Sequence, residues 1–359
     1  MMTAHARKVV GTWLLIGVVM VFVQVILGGI TRLTESGLSI TEWKPLNGTI
    51  PPLNEQQWTQ EFELYKQKVQ YQVINEGMTL SEFKWIFFWE YFHRLWARLI
   101  GVVFAIPFVY FIIKKYFDKT LVTPLVLLFL LGGLQGFIGW IMVKGGLDSL
   151  FVPPLRLTTH LVLAFILFSY LIWMSLLVYR GANTWVSATN PQYKMARTWS
   201  IVLLVLVFLQ LFLGGVVSGM KAGLAYPTWP DMNGQFIPSA LFTEKATLEG
   251  FKTYLPQDFW GRTFIQFVHR LTAYILVAVV AFFYFKTRNL TTDKILKAGL
   301  NFLPIMILVQ ATLGIITVLN CVGKIPVIWG MLHQGGAMLL LATVVFITFH
   351  LYTPAQPNE

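Results

Sequence analysis

Eight apolar runs, each long enough to cross a bilayer, constrain this chain more than any other feature. They fall at about 10–31, 85–113, 121–143, 156–179, 198–219, 260–285, 298–319 and 327–351. A helix rises 1.5 Å per residue, so ~20 apolar residues span a hydrocarbon layer about 30 Å thick. Backbone polar groups in lipid must be satisfied within their own segment, so such runs fold as helices. Composition agrees: of 359 residues, 56% are hydrophobic and 12% charged. An ordinary soluble domain is about 25% charged, so a disordered chain, a soluble enzyme and an ordinary nucleic-acid-binding domain are excluded. The first run, Val9 to Ile30, is too long for a signal-peptide core and ends without a small-x-small cleavage pattern, so it reads as retained.

The net charge of +11 reads as an orientation signal. Arg7 and Lys8, then Lys114, Lys115 and Lys119, then Arg180, Lys194 and Arg197, then Lys286, Arg288, Lys294 and Lys297 all fall on one side of the eight runs. The short loops opposite hold only Lys144, Arg156 and Lys324. Basic loops stay cytoplasmic, so both termini are expected inside, and no nucleic-acid partner is expected. Two long loops, about 32–84 and 220–259, then lie outside. Their aromatic, Gly- and Pro-patterned sequence suggests short helices over the membrane face. Cys321 is the single cysteine, which excludes an intrachain disulfide and a cysteine-based zinc or iron–sulfur site.

The chain is written twice. Gln24-Val-Ile-Leu-Gly28-Gly29 returns as Gln210-Leu-Phe-Leu-Gly214-Gly215 at an offset of 186, which Gly37/Gly223, Trp43/Trp229 and Asn47-Gly48/Asn233-Gly234 share. His93-Arg94 matches His269-Arg270 at offset 176, Gln135/Gly139 matches Gln310/Gly314 at 175, and His160 matches His333 at 173. The drift is what loop deletions produce. The expected fold is therefore an all-α integral membrane protein of two pseudo-symmetric four-helix bundles, roughly 1–181 and 182–359, related as parallel repeats.

Within each half, a helix carrying Gln-x-x-x-Gly is followed by a helix carrying one histidine. The four units are Gln24/Gly28 with His93, Gln135/Gly139 with His160, Gln210/Gly214 with His269, and Gln310/Gly314 with His333. An intramembrane ionisable residue is a functional candidate by default. All four histidines enter from the outer side and fall in the outer half of the bilayer. Two histidines at one depth on facing helices can clasp a haem iron, and glycines opposite let backbone approach a flat macrocycle. Two separated histidines make a poor tetrahedral zinc site. The expected pairs are His93 with His160 and His269 with His333, one haem per half. Arg94, Arg98 and Arg270 lie inside their spans and are candidates for propionate contacts, because guanidinium suits carboxylate. His5 and His350 have no counterparts and read as interfacial residues.

The halves differ at one place that matters for chemistry. Glu90 precedes His93 by three residues, so both lie on one helix face; the equivalent residue before His269 is Gln266. Glutamine fills the same volume but cannot ionise. Glu90 is therefore the candidate catalytic acid or base, and the first half the working half. The first outer loop is also dense in polar groups: Arg32, Glu35, Glu42 and Lys44.

Gly28–Pro52, Glu82-Phe83-Lys84-Trp85-Ile86-Phe87 and Glu90-Tyr91-x-His93-Arg94 resemble haem A synthase of the mitochondrial and proteobacterial type, and the resemblance covers nearly the whole chain. It implies an enzyme that oxidises the C8 methyl of haem O to a formyl, with oxygen from water, for cytochrome oxidase biogenesis. It implies a resident haem b on His269 and His333, substrate haem O on His93 and His160, and Glu90 as the catalytic carboxylate. Haem O synthase, an electron acceptor and a second copy of the chain are the partners it suggests. A multi-pass protein of a bacterial inner membrane is expected over one of a mitochondrial inner membrane, since no Arg/Ser-rich presequence is present, though a matured mitochondrial chain would read the same. Two departures stand out: Ala97 where the family often has glycine, and no outer-loop cysteine pair of the Bacillus-like kind. The rivals are a di-haem cytochrome b that only moves electrons and a haem carrier. A prenyltransferase is disfavoured, because no Asp-rich diphosphate motif is present.

Overall fold

In the computed structural model the described residues are 2–42, 49–117, 119–180, 190–291 and 293–353. Trp43, Lys44, Pro45, Asn47, Gly48 and the expected junction at 181–182 lie outside them. The chain is all-helical among these residues. Eight helices are long and apolar enough to span a membrane: α1 (Ala4–Leu33), α4 (Leu80–Ile113), α5 (Lys119–Lys144), α6 (Pro154–Arg180), α7 (Pro191–Gly219), α10 (Phe259–Thr287), α11 (Lys294–Leu319) and α12 (Val327–Tyr352). The long loops carry short helices, as expected: α2 (Glu55–Lys66) and α3 (Val69–Ile74) in the first, α8 (Ala240–Thr243) and α9 (Glu249–Lys252) in the second.

Every long helix contains one apolar run, and α1, α4, α7 and α11 begin several residues earlier. The added turns are polar and capped. Before α4, Thr79 and Glu82 form a reciprocal capping box, so α4 starts at Leu80 and not near 85. Asn190 caps α7, with Pro191 in the first turn, and Asp293 caps α11. Hydropathy alone misses such turns because their stabilisation comes from satisfied N–H groups, not from apolar surface.

Packing follows the repeat. In the first half α1 packs on α4 and α6, and α5 on α6; in the second, α7 packs on α10 and α12, and α11 on α12. Across the middle, α6 meets α7, α1 meets α12, and α6 meets α12. The inner helices are the enclosed ones. Of the apolar window of α12, 72% is buried, against 6% for α4, which leaves α4 to face lipid. Leu14, Phe165, Phe168, Leu203, Leu300, Phe283 and Leu341 fill the core. Between helices in lipid, such packing and not apolar burial drives association.

A smaller core docks the first long loop onto α4. Phe62 and Tyr65 of α2 pack against Phe83, Ile86 and Phe87, with Ile40 at its edge. The Tyr65 hydroxyl donates to Gln70 Oε1 (3.0 Å) and accepts from Asn75 Nδ2 (2.7 Å). Burial pushes that phenol up to about 12. Gln70 Nε2 in turn donates to the Glu35 carbonyl (3.1 Å). The loop backbone around 35–40 is thereby held in place above α4.

Candidate functional site

Each glycine of the four Gln-x-x-x-Gly elements lies against the histidine of its own unit. A Cβ added at Gly28 would sit 3.1 Å from His93 Nε2, and at Gly214 3.2 Å from His269 Cε1. At Gly139 and Gly314 it would sit 2.9 Å from His160 Cε1 and His333 Cε1. A side chain at Gly139 or Gly314 would force the ring to shift, and one at Gly28 or Gly214 would press tightly against it. Three of the glutamines complete the unit. Gln135, Gln210 and Gln310 each donate 3.0 Å hydrogen bonds to the main-chain carbonyl of His160, His269 and His333. The carbonyl of a helical residue is already used within its helix, so this second bond fixes the rotation of the histidine helix against its neighbour. Thr272 donates to the Oε1 of Gln210 and locks that side chain further.

The two histidines expected to pair in each half lie within electrostatic reach of each other, His93 with His160 and His269 with His333. His269 and His333 line one cavity of about 300 Å³ together with Gln210, Gln310, Gly214, Gly314, Gln266 and Arg270. Its inner wall is apolar, formed by Leu276, Val277, Ile307 and Leu340. The volume is in the range of small-molecule sites. His269 Nδ1 is buried and has no protein partner. Glycine-cradled rings, an apolar chamber and a buried, unmatched ring nitrogen fit a flat iron macrocycle. Among the described residues no three His, Cys, Asp or Glu side chains converge as a zinc-type site would require.

Glu90 is buried and fully engaged. Its Oε2 accepts from the Ser39 hydroxyl (2.8 Å) and from the Ile40 N–H (2.8 Å), and its Oε1 accepts from Arg94 Nη2 (2.5 Å). Arg94 also donates to the Ile40 carbonyl (3.3 Å). A carboxylate in an apolar bundle is costly unless paired and hydrogen-bonded, and here it is both. Arg98 follows one turn beyond Arg94 on α4.

The second half repeats the arrangement with opposite polarity. Tyr226 is the equivalent of Ile40, 186 residues on, and docks against the equivalent pair. Gln266 Nε2 donates to the Tyr226 carbonyl (2.9 Å), and Arg270 donates to the Tyr226 (2.8 Å) and Asp231 (2.9 Å) carbonyls. With no carboxylate at 266, the loop turns a carbonyl toward the site where the first half turns an N–H. The sequence singled out Glu90, Gln266, Arg94 and Arg270, and the fold brings each beside its own histidine helix face.

Ser39 and the Ile40 N–H escaped the sequence reading. Serine in a polar loop carries no signal of its own; the density of polar residues over Arg32–Glu42 was the only pointer. Glu35 stands out in the sequence as part of that polar loop, but its partner Lys221, at the equivalent repeat position with opposite charge, does not. They form an ion pair across the two halves.

Comparison with known proteins places this arrangement. The family described as Cytochrome oxidase assembly protein matches residues 11–345. A haem A synthase from Nitrosomonas eutropha is 42% identical over 339 residues, covering 94% of this chain and 92% of the relative. One from Nitrosospira multiformis is 43% identical over 347 residues, covering 96% and 94%. One from Flavobacterium psychrophilum is 41% identical over 352 residues, covering 97% and 99%. Shared identity at this level over nearly the full length of both chains, on a bundle of eight membrane-spanning helices, means that the chain belongs to the cytochrome oxidase assembly family that includes these haem A synthases.

Proposed function

We propose that this protein is a haem A synthase that oxidises the C8 methyl of haem O to a formyl group, with oxygen from water. Methyl to formyl consumes one water and releases four electrons and four protons. The observation that carries the reading is the asymmetry at one position: a buried, fully bonded Glu90 beside His93, and Gln266 beside His269.

The first half, about 1–181, is the working half, with substrate haem O between His93 and His160. Glu90 has three tasks there that a glutamine cannot share. It holds negative charge close to the reacting carbon as positive charge develops, and it can accept a proton from an incoming water. It can also pass that proton on, because Ser39 is a hydroxyl able to donate or accept. Arg94 keeps the carboxylate aimed between turnovers.

The second half, about 182–359, holds haem b through His269 and His333, and that group supplies one-electron redox chemistry. Gln210 and Gln310 orient the two histidine helices, and Gly214 and Gly314 leave room beside the rings. Arg94, Arg98 and Arg270 are placed to meet propionates. The protein is multi-pass in a bacterial inner membrane with both termini cytoplasmic. Haem O synthase, a membrane electron acceptor and a second copy of the chain are its proposed partners.

Pigment extraction from membranes that express the chain together with a haem O source tests the reading. Haem A in the extract supports it. Haem b with unchanged haem O leaves the alternative, a di-haem cytochrome b that moves electrons without modifying a haem.

A further inference from the structure

We infer that Arg32, carried by the first half, is a cationic anchor for the propionates of the haem held in the second half. The inference rests on the proposed haem b site at His269 and His333. Arg32 lies in the last turn of α1, yet it lines the cavity that contains both of those histidines. Its Nη2 donates to the Ser218 carbonyl (2.7 Å) on α7, one helical turn beyond Gly214, which abuts His269. Arg32 and Arg270 thus stand at the long-loop end of the cavity, and the apolar wall of Leu276, Val277 and Leu340 lies deeper. A macrocycle clasped by the two histidines has one polar edge and one apolar edge. Only one orientation puts carboxylates beside guanidinium groups.

The charge balance points the same way. The carboxylate within electrostatic reach of Arg32 is Glu35, and that group is bonded to Lys221. Arg270 donates to main-chain carbonyls; Asp231 lies within electrostatic reach of it, but the Asp231 Oδ1 accepts from Thr228 and the Gly234 N–H and forms no ion pair with Arg270. Among the described residues neither arginine forms an ion pair. Two cations left without a carboxylate partner at the polar rim of an apolar cavity match two propionates.

Repeat equivalence makes the assignment one-sided. The position equivalent to Arg32 is Ser218, and the arginine equivalent to Arg270 is Arg94, which Glu90 already neutralises. The first-half haem therefore shares its Arg94 with Glu90, and the arginine that reaches across from the other half has no counterpart there. The chain holds one haem by two guanidinium groups and leaves the other less firmly bound. That is the difference required between a resident cofactor and a substrate that must leave as product.

The test compares R32M, R32K and E35Q, purified as full chains in detergent with their haem. Two quantities are read: the rate of haem b loss to excess apomyoglobin, and the midpoint potential of the haem that remains. A charge-assisted contact of roughly 1.5–3 kcal/mol corresponds to about a tenfold to hundredfold change. R32M is expected to lose haem b at least about tenfold faster, with a more negative potential, because an unpaired propionate favours the ferric form. R32K is expected to restore much of both. E35Q cuts the contact between the halves but keeps Arg32, and is expected to leave both near wild type. An unchanged loss rate and potential in R32M overturn the inference. So does an E35Q that behaves as R32M does, since the effect would then come from docking of the halves. Absence of a bis-histidine haem from the wild-type chain would instead overturn the proposed haem b site itself.

Discussion

Glu35 and Lys221 occupy equivalent positions of the two repeats, and they are bonded to each other. A residue that meets its own repeat-mate must lie at the boundary where the halves face one another. Arg32 and Ser218, also 186 apart, do the same through a side chain and a carbonyl. A duplicated chain with identical halves would place like charges together at such a point. With Glu and Lys at the two positions the contact is an attraction.

Breaking the Glu35–Lys221 pair should loosen the two halves. Burial lowers the Lys221 ammonium below its ordinary value, and Glu35 opposes that shift, so the pair is partly desolvated. K221M should lower stability by about 2 kcal/mol, in line with a hydrogen bond to a charged group. E35K should cost more, through like-charge repulsion, and the swap E35K/K221E should recover most of the loss. Thermal unfolding in detergent checks all three. Equal destabilisation in the swap and the single variant would show that the pair contributes nothing.

E90Q should retain bound haem and lose haem A formation, leaving haem O or a partly oxidised alcohol in the extract. Glutamine can keep a hydrogen bond to Ser39 but carries no charge and accepts no proton. A normal haem A yield in E90Q would remove Glu90 from the chemistry.

Ser39 donates to the same carboxylate oxygen as the Ile40 N–H. S39A removes one donor of a charge-assisted pair, so haem A formation should fall by roughly tenfold or more. S39T keeps the hydroxyl and should retain most of it. The split between kcat and KM distinguishes the two roles: S39A should lower kcat with KM for haem O little changed if Ser39 acts on the reacting carboxylate. A raised KM with unchanged kcat would limit Ser39 to a structural part.

H269A and H333A should each abolish the bis-histidine spectrum of the resident haem. H93A should keep that spectrum while losing haem A formation. A spectrum preserved in H269A would refute the pairing of histidines within the second half.

Cys321 is buried beside Gly223 and donates to the Thr317 carbonyl (3.3 Å). Burial pushes its thiol up to about 11. The thiolate is the reactive form, so alkylation of the folded protein should be slow near neutral pH and rise about tenfold per pH unit until the thiol titrates. Mass spectrometry of alkylated protein over a pH series measures this. Rapid labelling at pH 7 would contradict the burial.

Much of the fold was legible in the sequence because lipid imposes a length rule. Each of the eight apolar runs lies within a membrane-length helix, and the four Gln-x-x-x-Gly/histidine units bring each glycine against its own histidine. Periodicity carries such facts because they involve residues on one helix or its immediate neighbour. Helix starts were less legible. Thr79 and Asn190 contribute no apolar signal, so α4 and α7 begin earlier than hydropathy indicates.

Residue type and spacing along the chain were enough to read the membrane class, a repeated sequence pattern, the four histidines and the odd carboxylate at Glu90. The tertiary structure alone decided what surrounds that carboxylate and what crosses between the halves. The Ser39 hydroxyl and Ile40 N–H reach Glu90 from about 50 residues away, and Arg32 and Glu35 find partners 186 residues on. Such contacts depend on how loops dock and how two bundles face each other. Those are properties of packing between distant segments, and no local period in the sequence encodes them.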